Sequence, residues 1–365
     1  MADADALGPH DLVITSSTLG NPPFAQLVAA AAGAGIRGLS LWPEPDFART
    51  LASGTTAADM RALLADHGLV ANDVDAIVEW VGPDAPTPPI FEEPPRRTLY
   101  DAADELGARF ANVLLAGPKG ASIDDVAAGF ARVCDEAAEH GLVATLEFSA
   151  GTHAPDLNTA RRIVETAGRP NGAILVDAWH LHLGRSTLAD LAALPGELAA
   201  AVQVNDGPAE RPADFAYATR YARLAPGDGT FDLPAFVAKL DAIGCRAPLG
   251  IEVFNAPLLD ELGPAGLARR LAGSVAGAAP ATVIVREPSA PVVTGAEKMP
   301  TSRSTRPSAT RPLPGRWRST HSCTWPRGCP RSRLTRSLPT AKRWRSTSGG
   351  RSGVTRSRAR RQRSV

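Results

Sequence analysis

Four oxygen-bearing side chains stand at the ends of consecutive apolar runs in the second half of the sequence. They are Glu147 in LEF, Asp177 in VDAWH, Gln203 in VQVND and Glu252 in IEVF. An ionised carboxylate inside an apolar run is costly unless it is paired or bound to a cation. Three carboxylates and an amide, with few basic residues close in sequence, point to a bound cation rather than to a set of ion pairs. Four oxygen donors favour a hard divalent ion, Mn2+ or Mg2+, over a zinc site of His and Cys. Such an ion, chelating an α-hydroxycarbonyl compound, polarises the carbonyl and stabilises the enediolate formed when the adjacent C–H loses its proton. One carboxylate removes the proton and a second group returns one. Return to the neighbouring carbon makes an isomerase, and return to the opposite face an epimerase. Loss of a β-hydroxyl makes a dehydratase instead. The residues leave these outcomes open.

The elements that must carry these groups are legible from 10 to 280. Short apolar runs alternate with amphipathic stretches, the pattern of a parallel α/β protein. Eight runs predict strands: 11–17, 38–43, 72–79, 110–116, 143–148, 172–177, 199–205 and 248–254. Helices are expected between them, among others at 56–67, 122–140, 157–168 and 232–243, several ending in His-Gly or Ala-Gly. Eight strand–helix units over this length suit a closed (β/α)8 TIM barrel, with an open doubly wound sheet as the competing arrangement. In such a barrel the active groups sit at the carboxyl ends of the strands, where all four named residues fall.

These motifs together resemble the sugar phosphate isomerase/epimerase superfamily, with its xylose-isomerase-like barrel. The marks are Glu147, Asp177-Ala-Trp-His180, Gln203-Val-Asn-Asp206 and Glu252, with Arg223-Leu-Ala-Pro-Gly-Asp-Gly229 similar to the superfamily's Arg-x-x-Pro-Gly-x-Gly segment. The resemblance covers about 10–280. It implies that Glu147, Asp177, Gln203 and Glu252 hold the divalent cation. Glu147 and Glu252 would double as the acid/base pair, and His180 and Arg223 would contact substrate oxygens. Many epimerases of the family carry His where Gln203 stands; members similar to hydroxypyruvate isomerase and 3-dehydroshikimate dehydratase carry Gln. The implied function is a metal-dependent isomerase or epimerase of a small polyhydroxy carbonyl compound, with a dehydratase of the 3-dehydroshikimate or inosose type as the alternative.

His153, six residues past Glu147 in a loop at the same rim, is a further substrate-contact candidate. Trp179 is a candidate wall for a small polar substrate, Asp206 either orients a ligand or caps a segment, and His67 and His140 are expected to close helices. Gly33-Ala34-Gly35-Ile36-Arg37-Gly38 matches the dinucleotide fingerprint but closes a helix and precedes a strand, the reverse of the required order, so it reads as a turn. Seven His are too few, and too scattered, for the trinuclear zinc site of endonuclease IV-type repair enzymes that share the barrel.

Composition divides the 365 residues. Residues 301–365 hold 18 Lys+Arg and no Asp or Glu, leaving 1–300 with a net charge of −17, although the whole chain sums to +1. The basic stretch, without Ile, Phe or Tyr, is expected to be disordered. The expected boundary puts the barrel at 10–285 and an Arg/Ser/Pro-rich tail at 286–365, whose content suggests a coding frame lost near 285–300. A nucleic-acid partner is not expected, a homo-oligomer is left open, and no apolar run is long enough to span a membrane. The acidic N-terminus lacks a secretory pattern, so a cytoplasmic protein is the expectation.

Overall fold

The computed structural model describes residues 7–82 and 96–278. The tail expected at 286–365, and with it the boundary near 285, lies outside the described residues.

Eight parallel strands close into a barrel: β1 (Leu12–Thr15), β2 (Gly38–Leu41), β3 (Val70–Trp80), β4 (Phe110–Ala116), β5 (Val143–Glu147), β6 (Gly172–Asp177), β7 (Ala199–Val204) and β8 (Leu249–Ile251). Closure runs through β1 and β8, with Leu12 beside Leu249 and Ile14 beside Ile251, so the open-sheet alternative is set aside. β8 is shorter than the run 248–254 because the chain leaves the sheet at the rim. The Glu252 N–H nevertheless still reaches the Val204 carbonyl at 3.2 Å.

The surrounding helices are α1 (Phe24–Ala32), α2 (Ala57–Asp66), α3 (Arg96–Leu106), α4 (Ile123–Glu139), α5 (Leu157–Ala167), α6 (Ala178–His182), α7 (Leu188–Ala192), α8 (Phe215–Tyr221), α9 (Leu233–Ala242) and α10 (Ala256–Ala278). Their starts are fixed by side-chain caps. Thr56, Ser122, Asp156, Thr187 and Asp232 each accept a hydrogen bond from a backbone N–H of the first turn, satisfying donors the helix cannot. His67 and His140 close α2 and α4 as expected. The Gly33–Gly38 segment ends α1 and leads into β2, which confirms the turn reading. α10 is interrupted at Gly263, whose φ of +63° suits a residue without a side chain, and Pro264 opens the second segment.

The hydrophobic core lies between strands and helices, with Leu27, Leu39, Phe130, Ile163, Phe236 and Leu271 fully enclosed. Inside the barrel the packing is different. TIM-barrel interiors are mostly branched aliphatic layers, but here Thr15, Ser40, Asp73, Thr145 and Gln203 line a void of about 20 Å³. That is room for about one water.

Candidate active site

The carboxyl ends of β5 to β8 bring Glu147, Asp177, Gln203 and Glu252 into one buried cluster with His180 and Arg223. None of the six is more than 7% exposed. Asp177 is the hub. Its Oδ1 accepts from the Asn205 amide at 2.7 Å and from the Trp179 N–H at 2.8 Å, while Oδ2 accepts from Arg223 Nη1 at 2.9 Å. The same Nη1 donates to Glu252 Oε2 at 2.8 Å, and Gln203 Nε2 donates to Glu252 Oε1 at 3.0 Å. His180 Nε2 stands 3.3 Å from Glu147 Oε1 and 3.7 Å from Asp177 Oδ2. Arg223, expected at the substrate, is thus already spanning two of the four proposed ligands.

Burial and neighbours treat the two glutamates differently. Burial pushes Glu147 up, but hydrogen bonding and charge from His180, the Asn112 hydrogen bond and Arg223 outweigh it, and its pKa falls below the ordinary value. Burial drives Glu252 well above that value; Arg223 opposes the shift, and Glu147, Asp75 and Asp177 reinforce it. The two carboxyl groups thus differ in proton affinity, Glu147 favouring the ionised form and Glu252 the protonated one.

A divalent ion fits these residues. Glu147, Asp177 and Glu252 put three carboxyl groups around the guanidinium of Arg223, and Gln203 Oε1 is buried without a hydrogen-bond partner. Glu147, Asp177 and His180 each offer a ligand atom, all within 4.8 Å of one another. His180 therefore also lies among candidate ligand atoms, not only on the substrate side.

His153 is not brought into this cluster by any hydrogen bond or ion pair among the described residues. Its N–H donates to the Leu115 carbonyl at 2.8 Å, and its ring lies beside Gly117 and Val81. Trp179 is fully enclosed, its indole N–H donating to Thr219 Oγ1 at 2.9 Å. It is a core residue, and the wall role expected for it is corrected.

Asp206 proves to be a staple for the segment that carries Arg223. Its carboxylate accepts from the N–H groups of Gly207 (2.8 Å), Gly227 (2.9 Å) and Phe231 (3.0 Å), and its backbone pairs with Leu224 in both directions. Asp206→Ala is expected to lower stability by about 2–4 kcal/mol, because three N–H groups, those of Gly207 and Phe231 buried, lose a charged acceptor. Urea unfolding measures it, and a loss below 0.5 kcal/mol, roughly the size of a surface substitution, would show the staple to be redundant.

Sequence reading missed the other half of the mouth. Asn112 on β4, 2% exposed, gives its amide nitrogen to both Glu147 Oε2 and Asp75 Oδ1, at 2.8 Å each. Asp75 Oδ2 accepts from the Trp42 indole N–H at 3.2 Å. Burial, then the charges of Glu147 and Asp73, raise Asp75 to about 7. The signal was present in FANVLLA: a lone amide in an apolar run, as at Gln203.

Trp42 is held from behind by Asp46, whose Oδ2 accepts its backbone N–H at 2.7 Å. Burial raises Asp46 from 3.8 to about 6, against hydrogen bonds from Ser16 and Trp42 and the charge of Arg49. A carboxyl raised by folding stabilises the fold below its unfolded pKa and loses that contribution as pH rises through the folded one. Between about pH 4 and 6 the native protein should therefore lose up to about 3 kcal/mol that Asp46→Asn does not. Parallel pH profiles of unfolding would contradict this.

A cavity of about 810 Å³ opens at the other end of the barrel, lined in part by Arg37, Arg61, Arg109 and Arg246. Arg37 and Arg61 donate there to the Gly68 and Glu105 carbonyls at or just past helix ends, the expected use of cations at that pole. The catalytic candidates are not among its walls. Among the described residues no helix is long and apolar enough to cross a membrane.

Comparison with known proteins agrees with this geometry. A segment of 93 residues, 26% of this chain, is 37% identical to a 3-dehydroshikimate dehydratase of Pseudomonas aeruginosa, but it spans only 14% of that protein. The IolI protein solved with a bound zinc atom superposes with a TM-score of 0.62 at 17% identity, over 73% of this chain and 97% of that one. A D-allulose 3-epimerase from Methylomonas sp., solved with D-allulose, gives 0.53 at 18% identity over 73% and 95%. The model of the xylose isomerase-like TIM barrel matches residues 28–274. By that match, the chain belongs to the xylose isomerase-like TIM barrel family.

Proposed function

We propose that this protein is a divalent-metal-dependent enzyme that shifts a proton on a small polyhydroxy carbonyl compound, as an isomerase or epimerase. One observation carries the reading. Glu147 and Glu252 project from β5 and β8 into a single buried cluster with Asp177 and Gln203 between them, and their environments push their proton affinities apart. Glu147, Asp177, Gln203 and Glu252 would hold the ion, with Mn2+ or Mg2+ suited to this oxygen set. When bound, it supplies Lewis-acid polarisation of a substrate carbonyl.

The residues do the rest. Glu147, oriented by Asn112 and His180, takes the proton from the carbon beside the carbonyl. Glu252, held between Gln203 and Arg223, returns one. Arg223 and His180 present donors to substrate oxygens while burial keeps competing water out. Return to the adjacent carbon or to the opposite face distinguishes isomerase from epimerase. The partner is a small molecule.

A second reading, a dehydratase, is favoured by the segment of 37% identity to the Pseudomonas aeruginosa enzyme. In that case Glu252 would protonate a departing β-hydroxyl. The discriminating measurement is proton NMR of ketoses, inososes and dehydroshikimate in D2O. Deuterium appearing beside the carbonyl with the carbon skeleton intact supports the first reading, and loss of water to a newly absorbing enone or enol product supports the second. Treatment with EDTA is expected to slow either reaction by about 100-fold or more, with recovery on adding Mn2+, as loss of several kcal/mol of Lewis-acid stabilisation demands. Activity indifferent to EDTA would sink both.

A further inference from the structure

In the half of the mouth formed by β2 to β4, the scheme above uses Asn112 alone and gives Asp75 and Trp42 no role. Asn112 places its one amide nitrogen between two carboxylates, Glu147 and Asp75. Asp75 in turn fixes the indole of Trp42, which is 37% exposed while its N–H is directed inward. A hydrogen-bonded chain thus runs from the proposed base to an aromatic plate at the rim.

An aromatic face beside a carboxylate suits the C–H face and the hydroxyl groups of a polyol. It does not suit an anion. Among the described residues, the cation in contact with the carboxylate cluster is Arg223, and its Nη1 is already shared by Asp177 and Glu252. On the β3 side, Arg96 and Arg132 are both committed to Glu79. Lys119 and Arg211 are exposed, and Arg211 lies over the Phe215 ring at 3.9 Å.

We propose that Asp75, with Trp42, is the specificity-determining residue of this site, and that it selects an uncharged polyhydroxy substrate against one bearing a carboxylate or phosphate. This rests on the reading of the site given above and sharpens its substrate class. Asp75 accepts hydrogen bonds from substrate hydroxyls with the lone pairs that Asn112 and Trp42 leave open. As a carboxylate it repels an anionic substituent, so the comparison below is made above about pH 8.

The test uses the full chain with Mg2+ and two unreactive ring probes, myo-inositol (neutral) and quinate (a carboxylate), with dissociation constants from NMR titration. The wild type is expected to bind myo-inositol at least tenfold more tightly than quinate. Asp75→Asn should bring that ratio within threefold, chiefly by strengthening quinate. Trp42→Phe should weaken myo-inositol at least threefold without helping quinate, which keeps the idea exposed if Asp75→Asn does not fold. Equal or tighter binding of quinate by the wild type overturns the proposal. So does a ratio unchanged in Asp75→Asn, and so does binding of neither probe. Deuterium exchange on an anionic hydroxyketone as fast as on a neutral one would uphold the proton-transfer reading and overturn this one. Absence of Mg2+ affinity would instead count against the metal-dependent reading.

Discussion

Glu147→Gln is expected to lower kcat by about three orders of magnitude, the middle of the range for loss of a general base. The substitution keeps the size of the side chain and its contact with the Asn112 amide, seen at 2.8 Å in the native protein, but its amide cannot take a proton. Its effect should therefore fall on proton abstraction rather than on folding, and deuterium wash-in at the substrate carbon should disappear together with product. Glu147→Asp should recover part of the rate, because the carboxylate is retained about one methylene short of its position. Metal affinity, measured separately by isothermal titration, should also weaken, since one oxygen ligand is lost. Exchange within tenfold of the wild-type rate in Glu147→Gln would remove Glu147 from the role of base.

Asp177→Ala carries the second large effect, and it is expected in stability. The carboxylate is fully buried and receives Arg223, Asn205 and the Trp179 N–H. Its removal leaves a guanidinium that is 2% exposed with Glu252 as its remaining carboxylate partner, beside an unpaired amide. Breaking a buried pair in this way costs about 3–5 kcal/mol, a large part of the stability of an ordinary domain. Asp177→Asn should cost less, as it keeps acceptors for Asn205 and the α6 N–H, yet it should still lose metal affinity with the charge. Urea unfolding without added metal reads the first effect, and titration with Mn2+ the second. Equal stability of Asp177→Ala and wild type would mean that Glu252 alone suffices for Arg223 and that Asp177 is not the hub.

The barrel was legible because the strands are compact apolar runs and several helices carry their own caps in the sequence. Glu147, Asp177, Gln203 and Glu252 were legible because an ionisable or amide group closing such a run demands a reason. Asp75 was not, and the cause lies in β3. There Asp73, Asp75 and Glu79 share one parity, which in a regular strand puts all three on the same face. The register against β4 shifts between Val74 and Ile77, so Asp75 faces the mouth while Glu79 pairs outside with Arg96 and Arg132. Alternation cannot reveal a bulge, so the strand alone did not separate Asp75 from Glu79. Trp179 misled for the opposite reason. It lies between two site residues in sequence, but α6 begins at Ala178, and the helical turn carries its side chain into the core, away from the neighbours that flank it.

The Asp206 staple bears on how this scaffold can diversify. Gly207 and Gly227 are tied to one carboxylate, and Leu224 is paired to the same residue's backbone, so Arg223 is anchored from both directions of the chain. The stretch 208–214 leaves and rejoins the barrel between fixed points and is almost wholly exposed. Insertions or exchanges there can lengthen the rim and present new surface to a visiting molecule without moving the guanidinium. Variation in substrate range and conservation of the chemistry are thereby assigned to separate, mechanically insulated pieces of one connection.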